Sequence, residues 1–288
     1  MLIRALYRAA LFLAMIVPVS TLAADGGVHD SPFLQHKYTI WLGGFFPSLD
    51  SEVRLDSSIG SPGDGIDFED TLGLDDTKSV FFGGVRWRWP ERHMLEFELI
   101  QLNRQGEVAA ISENLDIGDY EVQIGAQVNT VFDVTIGRLT YGYAAVATEK
   151  SVLNLKAGLH IAGLNTILQL SGAVLKDGVP VGDPGTFIEE GGDINAPLPH
   201  FGVSYGYLIS PRVAFRAQAL LFAIKFNDYK GTLLDFDVDI LYQPGQRFGM
   251  GAGFRYFRTT IEDHSDDKLN GKFLYEYLGP VIYASWSF

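Results

Sequence analysis

There is no cysteine among the 288 residues, so neither a disulfide framework nor a thiolate metal site is open to this chain. Nowhere do 18 apolar residues run unbroken, which excludes a helical membrane span. Positive charge is scarce: 22 Lys and Arg stand against 35 Asp and Glu, giving a formal net charge of −13. Such a chain is a poor partner for nucleic acid, whose binding rests on cations that neutralise phosphates. Internal repeats, low-complexity tracts and Pro/Ser-rich linkers are missing as well. One large domain is the organisation this leaves.

What is present starts with a three-part leader. Arg4 and Arg8 form a basic region, Leu11 to Val19 a short apolar core, and Ser20 to Ala24 a run of mostly small residues suited to cleavage after Ala23 or Ala24. This is the pattern of a secretory signal peptide over residues 1–24. A membrane anchor is disfavoured because the apolar run is shorter than the ~20 residues a spanning helix needs, and Pro18 interrupts it. Removing the leader takes the net charge from −13 to −15.

The remainder alternates. Leu153, Leu155, Ala157, Leu159 and Ile161 share one face, while Asn154, Lys156, Gly158 and His160 share the other. Leu234, Phe236, Val238, Ile240 and Tyr242 alternate with Asp235, Asp237 and Asp239, and Phe248, Met250, Ala252, Phe254 and Tyr256 alternate with Gly249, Gly251, Gly253 and Arg255. Period two is the signature of strands with one apolar face. Small and charged residues together on the second face suit a narrow polar interior better than a solvated sheet surface.

Short turns at Trp89–His93, Ala147–Lys150, Ile209–Arg212 and Gln243–Gln246 alternate with mostly longer, more acidic connections near 57–66, 112–119, 168–197, 228–231 and 264–271. Four short turns imply ten antiparallel strands, with eight or twelve as alternatives. They are expected near 37–56, 66–89, 93–111, 120–146, 151–166, 199–209, 212–227, 232–242, 247–262 and 272–288. In the fourth, Phe132, Val134 and Ile136 lie on even positions but Leu139, Tyr141 and Tyr143 on odd ones. A β-bulge at Gly137-Arg138 would shift the phase in this way.

The chain ends Tyr283-Ala284-Ser285-Trp286-Ser287-Phe288, with Trp286 and Phe288 on one face of a last strand. This ending resembles the C-terminal assembly signal of Gram-negative outer-membrane proteins, with Tyr283 where that signal usually carries a small residue. With the stretches Ile66-Asp67-Phe68-Glu69-Asp70-Thr71-Leu72-Gly73-Leu74 and Asp228-Tyr229-Lys230-Gly231-Thr232-Leu233-Leu234-Asp235, the whole chain resembles a poorly characterised group of small outer-membrane β-barrel proteins. The resemblance implies a transmembrane antiparallel β-barrel over 37–288 and a short periplasmic segment over 25–36. The expected partners are outer-membrane lipid and lipopolysaccharide, and the barrel-assembly machinery through the last strand. It implies almost nothing about activity, because the scaffold serves adhesins, porins, proteases and lipid-modifying enzymes alike.

The expected interior carries the chemistry. Arg86 and Arg88 face away from Val85, Trp87 and Trp89, and across the turn Glu96 and Glu98 face away from Leu95, Phe97 and Leu99. A hairpin brings these four within range for ion pairs. Asp235, Asp237 and Asp239 point inward between the strands carrying Arg216 and Arg255. Paired charges would fill and close a narrow barrel; the alternative is an ion-selective constriction in a solute channel. His264 among Asp263, Asp266 and Asp267 is a weak candidate for a protease rim, and no Ser or Thr beside a His with an orienting carboxylate marks a lipid-modifying site. No cofactor is expected. The acidic run Asp64, Asp67, Glu69, Asp70 does not reproduce a helix–loop–helix calcium site, so no metal is expected either; its charge, like that of Asp183, Glu189, Glu190 and Asp193, suits solubility, with weak divalent bridging to lipopolysaccharide as a secondary idea. The favoured reading is a closed structural or interaction barrel whose acidic outer loops recognise, not an enzyme.

Overall fold

The computed structural model describes residues 32–288 apart from 56–64, 90–91, 109–110, 112–113, 118–119, 177, 182–187, 227–228 and 264–270; at 55, 117, 188–196, 226, 229 and 263 only the backbone is described. The leader over 1–24, His264, Asp64 and Asp183 therefore lie outside the described residues. In chain order the strands are β1 (Tyr38–Phe45), β2 (Ser48–Leu55), β3 (Gly65–Asp67), β4 (Val80–Trp89), β5 (His93–Val108), β6 (Leu115–Ile117), β7 (Tyr120–Val122), β8 (Gln127–Ala147), β9 (Ser151–Ser171), β10 (Val174–Lys176), β11 (Val179–Pro180), β12 (Ile188–Ser210), β13 (Val213–Phe226), β14 (Tyr229–Tyr242), β15 (Phe248–Asp263) and β16 (Gly271–Ser287).

Ten of these positions form a closed antiparallel wall. Strands β4, β5, β8, β9, β12, β13, β14, β15 and β16 follow one another around it, and β1 with β2 makes the tenth. Closure is by β1 on β16, from Thr39 opposite Ser287 to Phe45 opposite Val281. Tyr38 and Phe288 exchange backbone hydrogen bonds at the seam. No edge is left there, which is how a barrel satisfies its backbone inside a bilayer. We call the end holding Tyr38 and Phe288 the near end. The far end holds β3 on the edge of β2 and a small sheet of β6, β7, β10 and β11.

The first wall strand breaks at Phe46-Pro47, where proline has no N–H to donate. Its two halves still pair with one partner, β16. Gly279 makes this kink possible, since a Cβ there would stand 2.3 Å from the Phe46 carbonyl oxygen.

Three sequence expectations are corrected. The second strand does not run from 66 to 89; only 80–89 lies in the wall, and the preceding segment folds inward. The stretch 168–197 is not a long loop, because β9 continues to Ser171 and β12 begins at Ile188, in unbroken register from Ile188 opposite Leu170. Finally, there is no bulge at Gly137-Arg138: β8 keeps register there against both β5 and β9, and its irregularity falls between Ala144 and Val146.

The third correction has a physical cause. Phe132, Val134 and Ile136 face the interior together with Arg138 and Thr140, while Leu139, Tyr141 and Tyr143 face outward. The strand keeps its phase, and the two environments exchange along it. In the near half the outside is apolar and the inside polar. In the far half the inside is apolar and the outside polar, as on β5, where Leu95, Phe97 and Leu99 give way outward to Gln101, Asn103, Gln105 and Glu107 while Ile100 and Leu102 turn in. On β15, Phe248 to Tyr256 gives way outward to Arg258, Thr260 and Glu262. The apolar belt is thus about nine residues tall on β15, matching the ~9–11 a spanning strand needs. The far half projects beyond it.

The far half of the interior is a packed core. Phe45, Phe132, Phe257, Phe273, Tyr275 and Leu164 contribute from the wall. Strand β3 and the segment that follows it plug it: Ile66, Phe68 and Leu72 are fully buried, and the Phe68 ring lies 4.7 Å from that of Phe132. Gly73, at φ 67°, turns this segment back in a conformation side chains disfavour. Burying three such side chains contributes about 1.5–3 kcal/mol each.

Candidate functional site in the lumen

Below the plug the lumen turns polar, and every wall strand points at least one side chain into it. The hairpin of β4 and β5 sets Arg86 opposite Glu96 in register, and Arg86 Nε donates to Glu96 at 2.6 Å. Lys156 of β9 donates to the same carboxylate and to Gln218. One pair in from Glu96, Glu98 accepts from Trp41 Nε1 at 3.0 Å, Arg138 at 2.9 Å and Arg255 at 3.2 Å.

Arg138 is the central node. It bridges Glu98 on one side of the barrel to Asp235 at 2.7 Å and Asp237 at 3.4 Å on the other. Arg255 repeats the bridge, its Nε donating to Asp237 at 2.6 Å. On the facing wall Arg216 holds Asp239 in a two-point contact of 2.9 and 3.0 Å, with the Tyr283 hydroxyl donating to Asp239. Such charge-assisted, partly bidentate bonds are the stronger kind.

Deeper still is a relay of side-chain hydrogen bonds. Asp235 Oδ2 lies 3.0 Å from His160 Nε2, His160 Nδ1 lies 2.9 Å from His200 Nδ1, and His200 Nε2 lies 3.1 Å from Thr140 Oγ1. With neutral rings only one assignment satisfies all three contacts: Thr140 donates to His200, His200 to His160, and His160 to Asp235. Close approach of the strands permits it, for a Cβ on Gly158 would stand 2.9 Å from His200 Cε1.

The structure thus brings Arg86, Glu96, Glu98, Asp235, Asp237 and Arg255 into one lumenal network, with Arg216 and Asp239 as a separate cluster beside it, joined by Tyr283. Arg88 is the exception and a correction: it is buried at 8% exposure beside Arg86, yet no carboxylate among the described residues pairs with it, and its Nη1 has no partner. Glu96 is already shared by Arg86 and Lys156, and Arg88 sits one pair nearer the barrel mouth. Sequence reasoning missed Arg138, because the supposed bulge turned it outward; unbroken parity from Phe132 would have found it. Lys156, His160 and His200 carried a weaker signal, lying on the inward row but belonging to no motif.

Trp286 and Phe288 face outward and are half exposed, with Phe248 and Tyr38 as ring neighbours at 6.3 and 5.9 Å. Among the described residues, one group has the composition of a metal site: Asp50, Asp67 and Glu69, with ligand atoms within 4.8 Å of one another. Burial, and then the charges of Asp67 and Glu69, push the Asp50 carboxyl above its ordinary range. Glu69 is committed elsewhere, accepting from Ser51 and from Arg104, which latches the plug to the wall.

No family model matches the chain, and no curated protein matches it in sequence. Solved structures do. The chain is similar to the outer membrane protease OmpT from Escherichia coli, with TM-score 0.51 and 12% identity over 87% of this chain and 97% of that one. It also matches the transport unit of the autotransporter AIDA-I from Escherichia coli (TM-score 0.40, 10% identity, 98% and 97% covered). A further match is the Pseudomonas putida toluene transporter TodX (TM-score 0.37, 9% identity, 92% and 94% covered). At such identity the likeness to OmpT is one of fold, and the fold is that of a small outer-membrane β-barrel.

Proposed function

We propose that the protein is a closed outer-membrane barrel with a structural or interaction role, anchored by its near half and presenting its far half, with its acidic loops, outside the cell. The near end then faces the periplasm, as the short turns there suggest. The observation that carries this reading is the double closure of the lumen. Ile66, Phe68 and Leu72 fill the far half together with wall aromatics, and the Arg138 and Arg255 bridges cross the near half. A solute would have to displace a dry apolar core and then part buried ion pairs. Lipopolysaccharide is the proposed neighbour of the polar outer rim, and the β16 ending with Trp286 and Phe288 the proposed contact for assembly machinery.

OmpT is named a protease, and a hydrolytic rim would need a histidine near acids at the far end. The histidines the structure describes lie instead at the near end, His36 and His93, or buried in the lumen, His160 and His200. The sequence candidate for such a rim, His264 next to Asp263 at the end of β15, lies outside the described residues. Reconstitution of the folded protein in a planar bilayer tests the proposal: no stepwise conductance is expected, and reproducible single-channel steps would replace it with the narrow-channel reading.

A further inference from the structure

Beside the charge network lies a chamber of about 200 Å³ in the near half of the lumen, lined by Arg86, Arg88, Glu96 and Lys156, among others, and reaching Ser287 and Gln243 at the near end. Five carboxylates enter the lumenal network and the cluster beside it: Glu96, Glu98, Asp235, Asp237 and Asp239. Six cations face them: Arg86, Arg88, Arg138, Lys156, Arg216 and Arg255. Every cation but Arg88 has a carboxylate partner. Arg88 lines the chamber at 8% exposure with a buried Nη1 that donates to nothing among the described residues. A guanidinium cannot shed its charge in a protein, and an unpaired buried charge is costly. A barrel that otherwise matches its lumenal charges one for one keeps this cost at a single position, and that position faces a cavity.

We propose that this chamber binds a small oxyanion of the phosphate or carboxylate class, held by the Arg88 guanidinium and flanked by Arg86. The planar fork of an arginine suits two oxygens presented on one side. The volume exceeds several times the ~30 Å³ share of one water, which leaves room for a phosphate or a short carboxylate. Entry is from the near end, past the turn Pro32–Leu34, whose Phe33 packs on Ala144, Ala147 and Val152. The plug at the far end makes the chamber a blind site, so binding does not require conduction.

The test is calorimetric titration of the folded full chain in detergent with inorganic phosphate and, separately, acetate, at constant ionic strength set with chloride. Saturable binding of at least one probe at one site per barrel is expected; phosphate alone would assign the phosphate class, and both together any small oxyanion. Arg88→Gln should weaken it by about tenfold or more, the scale of one lost charge-assisted hydrogen-bonding group. Lys272→Gln, a basic residue on the outer surface of β16, should leave it unchanged. Absence of saturable binding for both probes, or parent-like affinity in Arg88→Gln, overturns the proposal. Should Arg88→Gln fail to fold, Arg88→Lys carries the test: it keeps the charge and loses the fork, and parent-like affinity there overturns the role of the guanidinium.

Discussion

At the scale of single residues, the lumen separates two arginines that adjacent inward positions on one strand make look equivalent. Arg86 has Glu96; Arg88 has no acidic partner among the described residues. Removing one member of a buried, hydrogen-bonded pair typically costs about 3–5 kcal/mol, with lumenal water reducing the figure. Glu98→Ala should therefore lower the melting temperature in detergent most, because it strips Trp41, Arg138 and Arg255 of a shared acceptor. Arg86→Ala should cost less, since that side chain is 25% exposed. Arg88→Met should leave the melting temperature unchanged or raise it, having no pair to break. Equal losses in all three would mean that these positions act through the wall and not through their partners. Strand parity alone sufficed to turn Arg86, Glu96, Glu98 and the three aspartates of β14 inward. Partner choice was not legible, because it depends on which strands face one another across the barrel, and Arg138 reaches Asp235 from 97 positions away.

At the scale of elements, the segment between β3 and β4 misled the sequence reading. Its apolar residues continue the alternation of the strand that follows, so 66–89 reads as one strand. What breaks it is local hydrogen bonding: Asp70 N donates to Asp67 Oδ1 at 2.6 Å, Thr71 N to the Asp67 carbonyl at 3.0 Å, and Leu74 N to the Phe68 carbonyl at 2.9 Å. An aspartate that caps its own turn competes with a β ladder. Arg104, 1% exposed, fastens the turn by donating to Glu69 and Ser51. Arg104→Met should loosen the plug without opening the wall. Amide hydrogen exchange should speed up through 66–74 while β8 and β9 remain protected. Unchanged exchange in that segment would mean that Phe68 and its apolar neighbours hold the plug unaided.

At the scale of the whole molecule, the strands change what they bury partway along their length. Four residues past Phe254, the outward row of β15 carries Arg258, then Thr260 and Glu262. The inward row changes from Arg255 to Phe257, Thr259 and Ile261 over the same interval. Periodicity is blind to this exchange, because both halves alternate equally well; only the identity of the two rows reports it. That is why the wall of ten strands was legible and the packed far core was not. On the proposed outer-membrane reading the exchange marks where lipid ends, and a charge placed on the outer face can read that boundary. Ala252 is exposed midway along the apolar belt from Phe248 to Tyr256, so Ala252→Arg should destabilise the barrel in lipid by roughly 2–4 kcal/mol, the cost of an arginine at the bilayer midplane. Thr260→Arg, on the same outward row beyond Arg258, should cost about 0–1 kcal/mol. Unfolding in urea from lipid vesicles would measure both. Comparable losses at the two positions would place lipid against the far half as well, and the far rows of β5, β8 and β15 would then need another explanation for their polarity.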